Sequence, residues 1–316
     1  MKPTDNLVVV VGSANVDLVV ATSRIPRAGE TVLGGELKYS PGGKGANQAC
    51  AAAKAGGCRT AMIGALGTDS LAGISRKSME DCGVDVSGLQ TVEGPNGTAL
   101  ITVDSNGENA IVVAPGANAR LEVGHQQKEI IRQASVLLGQ MEIPLPELIV
   151  AAKARSRGIP FILNAAPSQP LPYGLWRETD VLVVNEHEAR DLVSILRSAE
   201  EADRIHRDGV ENLARVLLTR VASVIVTLGS AGAMYFEQDS APVYEPALPA
   251  RTIDTVGAGD TFCGALAARV AKGETITDAV KFASAASALA VEKVGAQEAI
   301  PTYDEVVSKL ESVRKK

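Results

Sequence analysis

Aromatic residues are scarce in this 316-residue chain, and it has neither an excess of basic charge nor long apolar runs. Phenylalanine, tyrosine and tryptophan make up 3% of the residues, too few for the stacking platforms that bind single-stranded nucleic acid. The net charge of −6 does not provide the basic face that a nucleic-acid backbone requires. Apolar runs are interrupted within a few residues by glycine, Asn15 or Asp17, which argues against a membrane-spanning segment. We therefore expect no nucleic-acid partner and no membrane partner.

Cysteine and histidine are also sparse, and their spacing suggests neither a metal site nor a disulfide framework. The four cysteines contain no C-x-x-C pair, and the three histidines show no H-E-x-x-H spacing. Reduced thiols of this kind are typical of the cytosol. The chain opens without the basic, apolar and small-residue pattern of a secretory signal. We expect a cytoplasmic protein.

Alternation of strands with helices is the main pattern along the chain. The 46% hydrophobic and 22% charged residues are ordinary for a globular protein with a large core. The predicted strands cover 7–12, 60–66, 136–140, 161–165, 181–185 and 223–228. The predicted helices cover 45–55, 70–82, 147–157, 188–197, 210–219, 261–271, 276–293 and 303–313. Strands that are apolar throughout are typical of a parallel sheet covered on both faces. We predict one α/β domain over 1–316, with a doubly wound, mostly parallel sheet in a three-layer, Rossmann-like arrangement.

Two stretches, about 17–40 and 98–114, break this alternation. They contain short alternations of apolar and polar residues separated by glycine, proline and asparagine, and 99–104 and 110–114 form a predicted hairpin. Such strands do not fit inside a parallel core. We expect them to form a small projecting β-sheet that acts as a lid, because ligands of these folds bind outside the carboxyl ends of the strands.

The most informative segment is 254–260, which leads directly into a predicted helix. The small residues Gly257, Ala258 and Gly259 allow backbone N–H groups to point outward at the positive end of the helix dipole, which forms an anion hole. Asp260 lies at its rim, where a carboxylate could take a proton from a hydroxyl that attacks a phosphate. A tight turn with an acidic residue in the first helical turn is the alternative.

Two polar clusters near the amino terminus are candidates for a sugar site. Asn15 and Asp17 follow the first predicted strand and could bind a polyol, although a local Asx turn would use the same residues. Gly43, Lys44 and Asn47 begin the second predicted element, where the glycine allows close backbone approach. The spacing is not that of a Walker A loop, because Gly45 follows the lysine.

Two further clusters follow buried strands later in the chain. Asn185 and Glu188 could be an N-cap and its capping-box partner, or could hold phosphate oxygens and magnesium-bound water. The segment 227–232 offers a hydroxyl and a glycine backbone to a nucleotide. Each cluster alone is weak, but all four lie at the carboxyl end of a predicted strand.

Taken together, these motifs resemble those of the ribokinase-like (PfkB-type) carbohydrate kinase family, over nearly the whole chain from Gly12 to Gly295. The family's carboxyl-terminal signature matches 254–262, and its amino-terminal signature matches 42–47. The lysine and Ala-Asn pattern of the second signature resembles the ribose-phosphorylating members. The resemblance implies ATP-dependent phosphorylation of D-ribose at its 5-hydroxyl. Other acceptors such as deoxyribose, fructose or adenosine remain open, as does a catalytically silent sugar sensor.

The resemblance also implies a role for each matching residue. Asp260 would be the general base, and Gly257, Ala258 and Gly259 the anion hole. The implied ribose contacts are Asn15, Asp17, Gly43, Lys44, Gly45, Ala46, Asn47, Glu142 and Asp260. The implied ATP and Mg²⁺ contacts are Asn185, Glu188, Thr227, Leu228, Gly229, Ser230, Ala231, Gly232, Gly259 and Ser284.

A monovalent cation, K⁺, and a homodimer are the remaining implications of the resemblance. The matching cation positions are Asp254, Val256, Ala290, Lys293, Gly295 and Ala299. Ala299 departs from the family, because many relatives have a serine there and its hydroxyl is a ligand. Dimerisation would occur through the β lid, whose exposed faces one chain cannot cover.

Overall fold

The structure is a computed structural model that describes residues 6–207 and 209–314. Its strands are β1 (Leu7–Val11), β2 (Asn15–Ala21), β3 (Leu37–Gly42), β4 (Arg59–Leu66), β5 (Asp85–Thr91), β6 (Gly97–Val103), β7 (Asn109–Ala114), β8 (Val136–Gly139), β9 (Phe161–Asn164), β10 (Val181–Asn185), β11 (Ser223–Thr227), β12 (Gly232–Glu237) and β13 (Val243–Pro246). Its helices are α1 (Lys44–Lys54), α2 (Ser70–Asp81), α3 (His125–Arg132), α4 (Leu145–Ala154), α5 (Tyr173–Glu178), α6 (Glu186–Leu196), α7 (Ala199–Arg207), α8 (Val210–Leu217), α9 (Ala258–Ala271), α10 (Ile276–Ala290) and α11 (Tyr303–Arg314).

Nine strands form the main sheet, in the order β13-β12-β11-β10-β9-β8-β1-β4-β5. Every neighbouring pair is parallel except β11–β12 and β12–β13, which are antiparallel and lie at one edge. Successive residues of β1 are buried on opposite faces: Val8 and Val10 belong to one hydrophobic cluster, and Val9 and Val11 to the other. Two separate cores on the two faces confirm the predicted doubly wound, mostly parallel fold.

A second, four-stranded sheet has the order β3-β2-β6-β7. β2 and β3 come from the first irregular stretch of the sequence, and β6 and β7 form the hairpin of the second. The two stretches are joined by the β2–β6 pair, which is parallel and was not indicated by the sequence. Only residues 12–14 separate β1 from β2, so the small sheet is connected directly to the centre of the large one.

The helices α1, α9 and α10 pack together on one face of the main sheet. α9 approaches α1 closely at Gly264, where a Cβ atom would lie 2.3 Å from the backbone oxygen of Gln48. A glycine is therefore needed at this crossing, and the contact brings the amino-terminal ends of both helices to one edge of the sheet. Within 6–207 and 209–314, no helix is both long and apolar enough to span a bilayer.

Candidate active site

The amino terminus of α9 forms a set of backbone donors. Gly257 is the N-cap in the left-handed region, with φ of 71°, and Asp260 is the third residue of the helix. Among the described residues, no acceptor is paired with the backbone N–H of Gly257, Gly259 or Asp260, whereas Ala258 N–H donates to the Thr255 carbonyl at 3.3 Å. A Cβ atom at Gly259 would meet open space. These donors can receive an anion.

The carboxylate of Asp260 is held by two side-chain amides from consecutive residues of α1. Asn47 Nδ2 donates to Asp260 Oδ2 at 3.0 Å, and Gln48 Nε2 donates to Asp260 Oδ1 at 2.9 Å. Asp260 is only 8% exposed. The predicted base therefore lies at the start of α9 with the Asn47 amide beside it, and the roles of both residues stay predictions.

Lys44 is the first residue of α1 and places its charge next to Asp260. The Asp260 carboxylate raises the pKa of the Lys44 ammonium; burial opposes this increase, and the charges of Glu142 and Glu188 add smaller contributions to it. The backbone N–H of Lys44 donates to Glu142 Oε2 at 3.0 Å, and Ser13 Oγ donates to the same oxygen. The structure thus brings Lys44 and Glu142 together.

Asn15 and Asp17 lie on β2, at the side of the small sheet that adjoins this cluster. Asn15 is buried, and its Oδ1 accepts a hydrogen bond of 2.7 Å from Asn118 Nδ2. Burial raises the pKa of Asp17 to about 6, and the neighbouring charges of Glu142, Asp260 and Glu298 add to the increase. Asp17 therefore lies in a concentration of negative charge that a sugar's hydroxyl groups could partly relieve.

A cavity of about 230 Å³ opens at the amino terminus of α9. It is lined by Lys44, Asn164, Ala166, Val183, Val184, Asn185, Glu188, Thr227, Thr255, Gly257, Gly259, Asp260 and Cys263. Residues from α1, from three neighbouring strand ends and from α9 therefore converge on one space. Burial raises the pKa of Cys263, so its thiol stays protonated and adds no charge beside Asp260.

Asn185 and Glu188 form a capping box at the start of α6. Asn185 Oδ1 accepts from the Glu188 backbone N–H at 2.8 Å, and Glu188 Oε2 accepts from the Asn185 backbone N–H at 2.8 Å. Burial raises the pKa of Glu188. In the described part of the chain, Glu188 Oε1 has no hydrogen-bond donor, and both residues line the cavity. One free carboxylate oxygen facing a phosphate-sized space fits the few protein ligands that Mg²⁺ takes.

Some of the predicted nucleotide residues line the cavity, and others do not. Thr227 ends β11 and lines the cavity. Leu228, Gly229, Ser230, Ala231 and Gly232 form the adjoining turn and the start of β12 outside the cavity lining. Ser284 is buried in α10 and does not line it either. Their contact with a nucleotide stays a prediction.

Asp254 contacts two of the other predicted monovalent-cation residues. Its Oδ1 accepts from the Val256 backbone N–H at 3.0 Å, and its Oδ2 accepts from the Gly295 backbone N–H at 2.9 Å. The Ala290 carbonyl accepts from the Lys293 backbone N–H at 3.2 Å. Ala299, further along the sequence, is buried. No group of three or more His, Cys, Asp or Glu residues that could hold a metal occurs in the described ranges. A cation here would depend on backbone carbonyls, and its binding stays a prediction.

Comparison with known proteins identifies the family. Residues 5–303 match the pfkB family of carbohydrate kinases. This chain belongs to that family. The ribokinase of Staphylococcus aureus is 36% identical over 307 residues, covering 95% of this chain and 98% of that protein. The ribokinase of Schizosaccharomyces pombe is 34% identical, covering 95% and 96% respectively.

Solved structures of family members share the fold. The structure of Arabidopsis thaliana ribokinase complexed with ribose and ATP has a TM-score of 0.85 and 34% identity, covering 96% of this chain and 98% of that one. Thermotoga maritima ribokinase has a TM-score of 0.86 and 32% identity, with coverage of 96% and 99%. The family assignment and the fold predicted from the sequence are therefore confirmed.

Several residues of the site were not identified from the sequence. Asn164 and Thr255 line the cavity, and Gln48 contacts Asp260 directly. Asn164 ends β9 in the same way that Asn185 ends β10, so the strand-end pattern that identified Asn185 was available for it too. Gln48 follows Asn47 inside a helix, where a lone glutamine carries no such signal.

Proposed function

We propose that this protein transfers the γ-phosphoryl group of ATP to the 5-hydroxyl of D-ribose. The arrangement of Asp260 supports the proposal most directly: the carboxylate lies at the amino terminus of α9, fixed by Asn47 and Gln48, in a cavity that also contains Lys44 and Glu188. The choice of sugar and nucleotide is supported by relatives at 34–36% identity that are ribokinases, one of them solved with ribose and ATP.

The sugar would bind between the two sheets. Asn15 and Asp17 would contact it from β2, and Gly43, Lys44 and Asn47 from the start of α1, with Glu142 completing the set. This arrangement is supported by the proximity of Asp17 to Glu142 and Asp260, whose charges add to the increase that burial causes in its pKa. Hydroxyl groups suit such a site because each can donate to a carboxylate and accept from an amide or ammonium.

The proposed chemistry needs a base and a site for developing negative charge. Asp260 accepts the proton of the 5-hydroxyl as that oxygen attacks the γ-phosphoryl group in line. The backbone N–H groups of Gly257 and Gly259 are aimed at the charge that develops, and Lys44 adds a positive charge. Donors that are already in place and have no internal partner in the described structure favour this role.

Asn185 and Glu188 would hold magnesium and its bound water. When bound, Mg²⁺ neutralises phosphate charge during transfer. The free Oε1 of Glu188 supports this assignment. We further propose K⁺ at the Asp254 cluster, with most ligands from the backbone and none from a side-chain hydroxyl at Ala299.

The principal test is Asp260→Asn. We expect the variant to fold and to bind ribose, while kcat falls by about 10²–10⁴ because the base is lost. Asp278→Asn is a matched control, since Asp278 occupies the same third position in α10 but is exposed and remote. Rates would be measured by coupled release of ADP, and sugar binding by calorimetry. Near-normal kcat in Asp260→Asn would reject the assignment.

A panel of acceptors separates the remaining alternatives. ADP release would be followed with ribose, deoxyribose, fructose and adenosine, each with and without K⁺. Ribose should give the highest kcat/KM. A higher value for another acceptor would reassign the substrate, and sugar binding without ADP release would identify a sensor.

We propose that two copies of the chain associate through the small sheet, which acts as the lid. Tyr39, Leu18, Leu100 and Val112 lie side by side across its four strands and therefore share one face. Val112 is 66% exposed, Tyr39 53% and Leu100 51%. An exposed apolar face of this kind favours association with a second copy. The cytoplasm is the proposed location, in keeping with four free cysteines.

A further inference from the structure

The carboxylate of Asp260 accepts a hydrogen bond from Gln48, a buried residue that does not line the cavity. We propose that Gln48 is a positioning residue for the base, and that it sets the orientation in which Asp260 meets the acceptor hydroxyl. This inference rests on the proposed function, because it takes Asp260 as the base.

The side-chain amide of Gln48 is fully buried and all its hydrogen-bonding groups are engaged. Nε2 donates to Asp260 Oδ1 at 2.9 Å and to Asn164 Oδ1 at 3.0 Å. Its Oε1 accepts from Gln140 Nε2 at 2.6 Å. A flip of this amide would turn Oε1 toward the Asp260 carboxylate and Nε2 toward the Gln140 amide donor. Only one orientation therefore satisfies all the partners.

Gln140 is the residue that enforces this orientation. Its own Oε1 is buried and has no hydrogen-bond partner among the described residues. A buried acceptor without a partner is destabilising. Turning Gln140 over would place its oxygen against Gln48 Oε1, which also lacks a hydrogen. The observed arrangement thus keeps the donor of Gln48 directed at the base at the expense of one unsatisfied oxygen.

Asn47 makes the equivalent contact on the other carboxylate oxygen. Its Nδ2 donates to Asp260 Oδ2 at 3.0 Å, and its Oδ1 accepts from Gln297 Nε2 at 3.0 Å. Each oxygen of the base is therefore fixed by an amide that a second glutamine orients. The two amides differ in one respect: Asn47 is a proposed sugar contact, whereas no substrate contact is proposed for Gln48, and neither residue lines the cavity.

This difference predicts a specific kinetic effect. The terminal torsion of an aspartate is broad, so a carboxylate that loses one of its two donors can rotate. A small misplacement of a catalytic group lowers the rate of the chemical step by up to about 100-fold. Substrate affinity should be unaffected, because Gln48 has no contact with the cavity. Loss of Gln48 should therefore lower kcat and leave KM unchanged.

The test is a double-mutant cycle between Gln48→Met and Asp260→Ala. Methionine has nearly the same length and volume as glutamine but donates no hydrogen bond. In the parent protein, Gln48→Met should lower the single-turnover rate of phosphoryl transfer, measured by rapid quench with ATP and ribose, by about 10- to 100-fold. The KM values for both substrates should stay within about twofold, a change far below that predicted for the rate. In the Asp260→Ala background the same substitution should cause no further loss.

Gln127→Met is the matched control, because Gln127 is also buried in a helix, but among the described residues its side chain bonds to the Gly88 carbonyl and to no other group. It should leave the transfer rate unchanged. Gln48→Asn, whose side chain is too short to reach Asp260, is measured in the same double-mutant cycle. It replaces Gln48→Met if thermal unfolding shows that the methionine variant is misfolded.

The outcomes separate this inference from the proposed function. Loss of rate in the parent alone supports the positioning role. An equal loss in both backgrounds would show a general structural effect and overturn it, as would an unchanged rate in the parent. A fully active Asp260→Ala protein would instead refute the base assignment, and with it the role given to Gln48.

Discussion

Asp17 should make the folded protein less stable as the pH rises, and replacing it with asparagine should remove that loss. Burial, together with Glu142, Asp260 and Glu298, raises the pKa of Asp17 from 3.8 to about 6. The folded chain therefore binds more protons than the unfolded chain between these values. It follows that the stabilising contribution of protonated Asp17 is fully present below pH 3.8 and is lost as the pH rises through 6.

The size of the effect follows from the two pKa values. A difference of about 2.2 units corresponds to about 3 kcal/mol at high pH, since one unit is worth about 1.4 kcal/mol. The same relation gives about 1.6 kcal/mol at pH 5, where the group is still mostly protonated in the folded state. Relative to the parent, Asp17→Asn should thus gain about 1.4 kcal/mol in free energy of unfolding between pH 5 and pH 8. For a chain of 316 residues, about 3 kcal/mol corresponds to a Tm increase of about 4–5 °C.

Urea unfolding at several pH values between 5 and 8 measures this difference. Asp203→Asn provides the control for the substitution itself, because Asp203 is exposed on α7. The informative quantity is how the difference in free energy of unfolding between Asp17→Asn and the parent changes with pH. Any packing effect of the amide is the same at every pH and therefore does not contribute to that change. A stability difference that stays flat across this range would refute the account of Asp17. We also expect Asp17→Asn to have a higher KM for ribose, because this variant loses a carboxylate that would accept hydrogen bonds from the sugar.

Three further predictions test separate parts of the structure. Gly43→Ala should destabilise the fold by about 1–3 kcal/mol in urea unfolding, because Gly43 has a φ of 90° and a Cβ atom would lie 2.7 Å from the Asn15 backbone nitrogen. Gly73→Ala is the control: a Cβ atom at Gly73 on α2 would meet open space, so this substitution should be neutral or stabilising. Val112→Asp should convert the proposed dimer to a monomer in light scattering at micromolar concentration, and an unchanged mass would contradict the proposed interface. Ala299→Ser should lower the K⁺ concentration needed for half-maximal activation. Rates that are independent of K⁺ in both the parent and this variant would contradict the proposed cation site.

The strands of the main sheet were predictable where both faces are buried. β1, β10 and β11 are runs of apolar residues with strand bounds within one residue of those expected. β5 was missed because its sequence, DVSGLQT, is mostly polar, as an edge strand permits. β12 and β13, the last two strands at the opposite side of the sheet, were also missed, and they pair antiparallel rather than as parallel strands of the predicted core.

Short polar helices were also missed. α3, with the sequence HQQKEIIR, buries only Gln127 and Ile131 among its eight residues, so its apolar periodicity is too weak to recognise. α7 buries only Ala202 among the residues described for it. Both helices depend on packing against neighbours rather than on a hydrophobic stripe of their own.

In the candidate site, the residues found from the sequence were those at strand ends and in glycine-rich turns. Asp260, Asn47 and Glu188 were expected, and the structure places all three near one cavity. The glutamines behind them were not found. Gln140 and Gln297 are distant in sequence from the residues they orient, and the packing of α1 against α9 brings only Asn47 and Gln48 to Asp260.

The short connection from β1 to β2 has a mechanical consequence. Ser13 donates a hydrogen bond to Glu142, and a side chain at Gly12 would collide with Gln140, so this linker is held closely against the main domain. Asp17 lies on the small sheet, and Asp260 lies on α9 of the main domain. Under the proposed function, a pentose that contacts both residues would therefore link the small sheet to the main domain across the site.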